Sequence, residues 1–594
     1  MEFDPEDGSH NVAADASCEV EDRSASSETE DDPSKSSDTD ASSGMEEDGE
    51  GSDTDAGADV TENSAPSMSM TLLFTGSSRY FQMRNEKFGM LNEAPSTITE
   101  FANYPYSDLM KVIRSTWWGD YAVPAARGVR LRDLLSNGLV LHEDFGGRRT
   151  TTTVLRMLHV AMRMAGYKLP DLEKCFICWR FCDIDPGCQH VASTSNFPAQ
   201  HLFSELMDRF DQPVQKKLKR MRPCPDAKPE VKCAAYDRQK LYLSGLAKRG
   251  SVNRDNMSKC LLHPTSLCPW GWKDEANPGR PLTACFSGAS CIPWTPWGGR
   301  GGKSHCDTES YNIHMIGAEG DLHDIYWLEE SGDFPVVKEW QEPMEKIGYT
   351  CISLVTAPDE VGYPTTGKRV LAVATRDAVL LWLGAKTSSE FKGDFMKLFG
   401  CAPAVDGSCF AGLDTERNIR EERARFLHLA PHDDRLLTAP MTDLCDDPLR
   451  ERVQSNLMRA NKRLGPKSKN VIIDVSQNPD ARPRVGPFMP RPTRSTQPMC
   501  FNIVDQDKVG HFFTHRERAF AMGLPCLGDG GPFAHCVDMG MFELSDSKQR
   551  LLNGNAIHCG MLYKFMVFTL SQMIRKHYVN EWIFGDVPSS SGST

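Results

Sequence analysis

Apolar and polar positions alternate along the middle of the chain in patterns that predict strands joined to helices by short turns. In LVLHEDFGG (139–147) an apolar run leads into DFGG (144–147), and apolar residues at helical spacing follow up to Gly166. These helix positions are Val154, Leu155, Leu158 and Met162. Strand, glycine turn and helix form the unit that a cofactor-binding sheet requires, because adjacent glycines let the backbone approach a ligand and the helix start supplies free N–H groups. The same pattern also fits an ordinary turn.

A second predicted strand, CFICWRFC (175–182), ends in Asp183, Ile184 and Asp185. An acid at the end of the second strand of such a unit is placed to accept hydrogen bonds from ribose hydroxyls. Strand alternation would scatter the three cysteines of this segment, so we expect core thiols there and not a metal site.

A third apolar run reaches Gly288, and a cysteine, Cys291, stands just beyond it. The prolines, tryptophans and glycines that follow (293–302) predict an ordered loop. Such a loop can present a sulfur at the carboxyl end of a strand, which is where ligands of open α/β sheets bind. For a lone cysteine, a buried thiol beside a Trp-rich turn is the commoner outcome.

Two later segments place further polar groups at strand ends. The strand IYWL (325–328) is followed by Glu329 and Glu330, and two carboxylates in this position normally face solvent. Near a nucleophile, however, a buried and protonated carboxyl could donate to a ring nitrogen. Close to the end of the chain, Gly554 and Asn555 predict a tight turn before an amphipathic helix.

Charge is unevenly distributed, so the formal net charge of -14 misdescribes the part of the chain that folds. Residues 1–65 hold 22 Asp and Glu against two basic residues, and the rest holds 65 Lys and Arg against 59 Asp and Glu. The acidic head has almost no aromatic residues and cannot bury enough apolar surface to fold. We expect a disordered, solubilising tail over 1–68, with nucleic-acid mimicry or phosphorylation as alternatives. The remainder is long enough for a large core in two to four domains.

The first residues, the late apolar stretch and the cysteines indicate where in the cell the protein is located. The first residues are acidic and lack an apolar segment, and the apolar stretch 561–573 is interrupted by polar side chains, so we expect neither a secretory signal nor a membrane span. Twenty irregularly spaced cysteines favour reduced thiols in the cytosol or nucleus. We expect a nuclear protein.

Residues 211–260 form a basic insertion with thirteen Lys and Arg against five Asp and Glu. Its first cluster, KKLKRMR (216–222), suits phosphate contact or nuclear import about equally, and a solvated helix face is the simpler alternative. Five possible zinc ligands occur in or just after it: Cys224, Cys233, Cys260, His263 and Cys268. Because their spacing is irregular and contains no C-x-x-C pair, we expect no metal.

These segments, in this order, resemble the motifs of the DNA (cytosine-5) methyltransferase family. The segments that carry the resemblance are DFGG (144–147), CDIDP (182–186), NFP (196–198), FSEL (203–206), ASCIPWTPWG (289–298), LEES (328–331), the stretch 344–376, FFTHRERAFAMGLP (512–525) and SKQRLLNGNAIHCGML (547–562). The stretch 344–376 resembles the family's helix, Gly-Tyr, strand, turn and strand, and retains one arginine of the turn as Arg369. The third glycine that the family has after DFGG is lost.

The resemblance implies an α/β, class I S-adenosylmethionine-dependent methyltransferase fold, in which a Rossmann-like, doubly wound sheet carries a small target-recognition domain. The cofactor that it implies is S-adenosylmethionine. It places Phe145, Gly146 and Gly147 along the cofactor, Asp183 on the ribose, Ile184 and Glu205 on the adenine, and Asn555 with Ala556 back against the cofactor.

The resemblance also implies the chemistry. Cys291 would add to carbon 6 of cytosine, Glu329 would protonate or hydrogen-bond the ring nitrogen, and Arg369 would hold the carbonyl oxygen. A base inside a duplex cannot reach such a pocket, so it would be flipped out or start unpaired. The implied partner is DNA, with RNA as an alternative, and no membrane partner is expected.

The segments ASC, EES and TTGKR depart from the family pattern and leave three activities open. A DNA methyltransferase is favoured because the three reacting groups are present, a transfer-RNA methyltransferase on the same fold comes second, and a non-enzymatic nucleic-acid-binding relative comes third. The expected organisation is an acidic tail (1–68), a helical extension (69–140), the first half of the catalytic domain (141–210), the basic insertion (211–280), the second half (281–376), a target-recognition region (377–500), returning motifs (501–580) and a tail (581–594).

Overall fold

The computed structural model describes residues 93–115, 127–253, 255–273, 279–289, 292–294, 301–464, 470–476, 485–491, 496–502, 510–526, 531–536, 539–554 and 556–578. All of them belong to one of the two units into which the chain divides, Ser67–Thr594. The predicted acidic tail lies outside the described residues.

Fifteen strands occur in the described ranges. They are β1 Leu139–Asp144, β2 Phe176–Cys182, β3 His201–Phe203, β4 Met257–Cys260, β5 His263–Pro269, β6 Leu282–Ser287, β7 Ile325–Ser331, β8 Tyr349–Thr356, β9 Arg369–Arg376, β10 Leu380–Trp382, β11 Asn470–Asp474, β12 Val485–Gly486, β13 Pro498–Asn502, β14 His511–Phe512 and β15 Met573–Arg575.

The helices of seven residues or more in the same ranges are α1 Ile98–Arg114, α2 Arg127–Leu135, α3 Thr150–Met164, α4 Pro186–Thr194, α5 Gln212–Met221, α6 Pro229–Lys248, α7 Thr308–Asp321, α8 Ser388–Phe399, α9 Glu416–Leu427, α10 Asp447–Leu464, α11 His515–Ala521, α12 Asp546–Gly554 and α13 Cys559–Leu570. Among them, no helix combines the length and the apolar content that a membrane span needs.

Seven strands form the central sheet in the order β3-β2-β1-β6-β7-β9-β8. Every neighbouring pair is parallel except those of β9, which runs antiparallel between β7 and β8. The strand order reverses between β1 and β6, and a crevice at the carboxyl ends of the strands is expected at such a point. The doubly wound, mostly parallel α/β sheet that the sequence predicts is therefore confirmed.

Helices cover both faces of this sheet. Trp327 of β7 belongs to a core formed with α1, α3 and α13, whereas its neighbour Leu328 belongs to a second core that includes residues of α7 and β8. Successive side chains of a strand point to opposite faces, so the two cores lie on the two sides of the sheet. A third core joins the basic insertion, through α5 and α6, to α7.

The last long helix differs from its prediction. All twelve residues of α13 are buried, whereas the sequence predicts an amphipathic helix. The reason is its position, because α13 packs against α1, α3 and α8 and also against β9, and a helix covered on all sides has no solvent face. Its only charged side chain, Lys564, lies 2.5 Å from Asp108 of α1, and both groups are buried. Gly554, predicted to lie in a tight turn, is the last residue of α12.

The region predicted to recognise the target contains a separate small sheet. Four antiparallel strands follow the order β12-β11-β13-β14, and their core includes residues of α9 and α10. The described part of this region is therefore folded. Its role in target recognition stays a prediction.

Candidate functional site

The turn that follows β1 holds three residues in the left-handed region of backbone space. Phe145, Gly147 and Arg149 have φ values of 55°, 52° and 61°. Glycine adopts this region freely, but phenylalanine and arginine do so only when their surroundings hold them there. A Cβ on Gly146 would lie 2.3 Å from the ring of Phe181 on β2, so the turn lies tightly against the neighbouring strand.

Asp183, the first residue after β2, connects this turn to the next strand end. Its carboxylate accepts hydrogen bonds from the backbone N–H of Gly147 at 2.8 Å and from that of Asp185 at 2.9 Å. Burial raises the pKa of Asp183, although the two backbone donors oppose the rise. Each carboxylate oxygen has a second acceptor site, so Asp183 can still accept from a hydroxyl group.

Of the other residues predicted to contact a cofactor, Ile184 and Glu205 lie just after β2 and β3. Ile184 follows Asp183 and is 76% exposed, which leaves its apolar side chain open to a ligand. Glu205 comes two residues after β3 and is exposed. Ala556 is buried, and Asn555 lies outside the described residues.

A buried charge cluster fixes the end of β1. The carboxylate of Asp144 accepts from the Arg180 guanidinium of β2 at 2.9 Å and lies 2.9 Å from Nδ1 of His314 on α7. Burial by itself would raise the pKa of Asp144, but Arg180 and His314 outweigh it and hold this pKa well below its usual range. Two strand ends and one helix are thereby connected through a single carboxylate.

The predicted nucleophile, Cys291, lies outside the described residues, but the point where its loop leaves the sheet is described. β6 ends at Ser287, between β1 and β7. A Cβ on Gly288 would lie 3.2 Å from the carbonyl oxygen of Phe145 and 3.5 Å from Cδ1 of Ile557. The loop therefore begins in contact with the turn after β1.

The other side of this loop packs near the end of β7. The ring of Trp294 meets that of Phe334 edge to face, with 5.5 Å between the ring centroids. Phe334 comes three residues after β7, and its N–H donates to the carbonyl oxygen of Ser331 at 3.0 Å. In sequence, Cys291 stands midway between Gly288 and Trp294, which are the two points of attachment.

Two of the predicted catalytic groups meet where β7 ends. Nε of Arg369, the first residue of β9, lies 2.8 Å from Oε1 of Glu329, and the two side chains are 15% and 9% exposed. Burial raises the pKa of Glu329, and the Arg369 guanidinium opposes the rise. The carboxyl can therefore keep its proton to a higher pH than a solvated glutamate does.

The second carboxyl, Glu330, is buried on the opposite face of the strand. The sequence predicts that the strand stops before both acids, but β7 continues to Ser331, so the strand's alternation separates them. The N–H of Ser331 donates to the Glu330 carboxylate at 3.1 Å. Burial, with the charge of Glu329, raises the pKa of Glu330 well above its usual range.

Arg491 is a site residue that the sequence patterns do not reveal. Its Nη2 lies 3.6 Å from Oε1 of Glu329, so this carboxyl has two guanidinium neighbours. The segment that carries Arg491 is held against the turn before β9, because the N–H of Thr366 donates to the Met489 carbonyl oxygen at 2.8 Å. More than a hundred residues separate these partners, which is why no local pattern indicates the contact.

A second set of unpredicted contacts joins α12 to the predicted cofactor edge, which is formed by the turns after β1 and β2. The side-chain oxygen of Asn553 accepts from Arg148, in the turn after β1, and its amide donates to the carbonyl oxygen of His515 at 2.7 Å. Nζ of Lys548 lies 2.8 Å from Oδ1 of Asp185. Among the described residues, Asn553 and Lys548 thus connect this returning helix to the ends of β1 and β2.

The structure is similar to those of several solved methyltransferases. The Dnmt2 methyltransferase of S. pombe shares 11% identity at a TM-score of 0.37 and is covered over 98% of its length by 73% of this chain. A variant of Spodoptera frugiperda DNMT2 shares 13% identity at a TM-score of 0.32, with 99% of that protein and 73% of this chain covered. The methyltransferase EhMeth of Entamoeba histolytica shares 12% at 0.31, with 98% and 75% covered. No protein-family model and no curated protein matches the sequence.

Proposed function

We propose that this chain is a divergent DNA (cytosine-5) methyltransferase, which transfers a methyl group from S-adenosylmethionine to carbon 5 of cytosine. The proposal is supported first by the order of motifs between residues 144 and 562. The single observation that carries it is the arrangement around β6. The glycine turn and Asp183 lie on one side of this strand, the Glu329–Arg369 pair lies on the other, and the Cys291 loop begins between them.

The edge formed by β1 and β2 fits the proposed cofactor. The turn after β1 lies so close to the ring of Phe181 that Gly146 admits no side chain. Asp183 keeps acceptor capacity for a ribose hydroxyl. The exposed Ile184 offers an apolar surface for an adenine ring beside that acid. When bound, S-adenosylmethionine supplies an electrophilic methyl group.

The chain's own residues would prepare the base. Carbon 5 of cytosine is too weak a nucleophile to take a methyl group unaided, so the Cys291 thiolate first forms a bond to carbon 6. The electron density that this addition displaces moves onto the ring nitrogen, which takes the proton of Glu329 and leaves a Glu329 carboxylate beside an enamine-like carbon 5. After carbon 5 has been methylated, a base removes its proton, the carbon–sulfur bond to Cys291 breaks to release the thiolate, and the ring nitrogen returns its proton to the Glu329 carboxylate.

Arg369 has two tasks in this scheme. A guanidinium carries five N–H donors in a planar fork, so it can stay paired with Glu329 and also donate to the carbonyl oxygen of the base. Arg491 adds a second positive group beside the same carboxyl. Together the two guanidinium groups stabilise the negative charge that develops on the carbonyl oxygen of the base during the addition.

The basic run 216–222 is the basis for proposing a nuclear location. Its five basic side chains, on α5 and just after it, are all exposed. An exposed basic cluster is what an import signal or a phosphate contact requires.

Methyl transfer from labelled S-adenosylmethionine tests the proposed activity directly. We expect label in duplex DNA, located on carbon 5 of cytosine after digestion to nucleosides, and none when the Cys291→Ser variant is used. Label only in transfer RNA would replace the DNA substrate with RNA. Absence of label in both would leave a binding protein without this activity.

Substitution of Asp183 by asparagine is expected to weaken S-adenosylmethionine binding. A hydrogen bond to a charged group contributes enough that its loss costs about 10-fold to 100-fold in affinity. The asparagine amide also has one acceptor oxygen where two are used, for Gly147 and Asp185. Isothermal titration calorimetry on the full chain would measure the dissociation constant.

Asp185→Asn is the matched control. Asp185 lies at the same strand end and caps α4, and asparagine caps a helix as well as aspartate does. Asparagine loses the ion pair with Lys548, which is partly exposed, so we expect the affinity to fall by no more than about fivefold. Equal losses in the two variants would indicate a disturbed strand end and would contradict a ribose contact by Asp183.

A further inference from the structure

Four side chains with metal-binding atoms meet where the β4–β5 hairpin lies against the edge strand β3. They are His201, Cys260, His263 and Cys268, and one ligand atom from each lies within 4.8 Å of the others. We propose that they bind a zinc ion through two imidazole nitrogens and two thiolates. The sequence predicts no metal here, because the spacing of the candidate ligands is irregular and contains no C-x-x-C pair. In the structure Cys233 lies on α6 and Cys224 lies between α5 and α6, so neither belongs to the hairpin.

The hairpin brings three of these ligands together. Cys260 and His263 are cross-strand partners on either side of its two-residue tip, and Cys268 lies five residues along β5. Sγ of Cys268 is 3.3 Å from Nδ1 of His263. A tetrahedral zinc with bonds of about 2.3 Å to sulfur and about 2.0 Å to nitrogen separates such atoms by about 3.5 Å. The Cys268–His263 pair therefore already has nearly the spacing that the ion requires.

The fourth ligand comes from the central sheet. His201 opens β3, where it pairs with Arg180 of β2, and its ring centroid lies 5.3 Å from that of His263. Within the described ranges, its buried Nδ1 has no hydrogen-bond partner, which is uncommon for a buried polar atom. The N–H of Leu202 donates to Sγ of Cys260 at 3.3 Å, a contact that would stabilise a thiolate.

The ligand set points to a structural zinc ion. Two cysteines and two histidines fill the four positions that zinc prefers and leave none for a reacting water molecule. Soft thiolate ligands with imidazole also disfavour magnesium and calcium. Three of the four residues belong to the insertion and the fourth to β3, so the ion would hold the hairpin against the sheet. That strand leads directly to the exposed Glu205 at the predicted cofactor edge.

Metal content of the full-length chain tests the proposal. The chain would be expressed with zinc in the medium, freed of loosely bound metal by gel filtration, and measured by mass spectrometry of the metal. We expect about one zinc ion per chain. In the Cys260→Ser/Cys268→Ser double variant, the zinc content per chain should fall by about tenfold or more. The Cys224→Ser/Cys233→Ser double variant, which changes two other cysteines of the same insertion, should retain it.

Cobalt provides a second readout that does not need the variants to fold. The original chain, stripped with a chelator and refilled with Co²⁺, should show thiolate-to-cobalt charge-transfer absorption together with the strong visible bands of a tetrahedral site. Absence of bound zinc and of this spectrum in the original chain would overturn the proposal, as would full zinc content in the Cys260→Ser/Cys268→Ser variant. Neither measurement depends on methyl transfer, so each stands apart from the proposed activity.

Discussion

Replacement of Cys291 by serine is expected to lower methyl transfer by about 10⁴-fold or more, the size of effect seen when an enzyme loses a covalent nucleophile. A serine hydroxyl is almost entirely protonated at neutral pH, whereas a cysteine provides a useful fraction of thiolate. Serine preserves the size of the side chain, so binding of cofactor and DNA should persist. The loss should therefore appear in the rate constant and not in affinity.

Trapping with 5-fluorocytosine DNA would show the same loss as a chemical product. Fluorine replaces the proton that must leave carbon 5, so the covalent adduct cannot break down and can be seen on a denaturing gel. We expect an adduct with the original chain and with Cys306→Ser, a matched change at an exposed cysteine beyond the loop, and none with Cys291→Ser.

An adduct that persisted in Cys291→Ser would assign the nucleophile to another cysteine. The nearest alternative on β6 is Cys285, but burial and the neighbouring Asp144 charge raise its pKa well above the usual range. A thiol of that kind is a poor nucleophile because it rarely ionises. The experiment thus distinguishes a loop cysteine from a core cysteine on chemical grounds.

Local patterns predicted the parts of this fold that local physics determines. The run before DFGG, the helix up to Gly166 and the alternating segment 175–182 correspond to β1, α3 and β2. Gly166 has a φ of 88°, the left-handed conformation common just after a helix. In each case the signal and its cause lie within one element, so periodicity and turn chemistry were sufficient.

Features that depend on distant contacts could not be predicted in this way. Arg491 reaches Glu329 only because a segment near residue 489 pairs with the turn before β9. His201 joins three ligands that are about sixty residues further along the chain. The spacing rules for metal sites and catalytic motifs describe neighbours in sequence, so they miss groups that meet only after the sheet and the insertion have packed.

Substitution of Glu329 by glutamine is expected to lower the turnover number by about 10²-fold to 10⁴-fold, as loss of a positioned general acid does. Glutamine has nearly the same shape and can still donate a hydrogen bond, but it cannot deliver a proton to the ring nitrogen. It also cannot take on the negative charge that pairs with Arg369, 2.8 Å away, once the proton has been donated.

Glu330→Gln is the matched control, because the next residue on the same strand is also a buried carboxyl. Its side chain lies on the opposite face of β7, and burial raises its pKa well above the usual range. Glutamine keeps the shape of this side chain and lies on the face away from Glu329, so we expect turnover within a few-fold of the original. Equal losses in both variants would point to disturbance of the strand end and contradict an acid role for Glu329.

The pH dependence provides a separate test of the same role. Burial raises the pKa of Glu329, and the group acts in its protonated form, so its contribution is complete below the raised pKa and is lost as the pH increases through it. Ionisation of Cys291 acts in the opposite direction, because the thiolate fraction increases with pH. In the original chain the turnover number should therefore pass through a maximum.

In Glu329→Gln the decline that Glu329 causes on the alkaline side should disappear, while the dependence on Cys291 remains. A decline that persisted unchanged in this variant would assign it to another group.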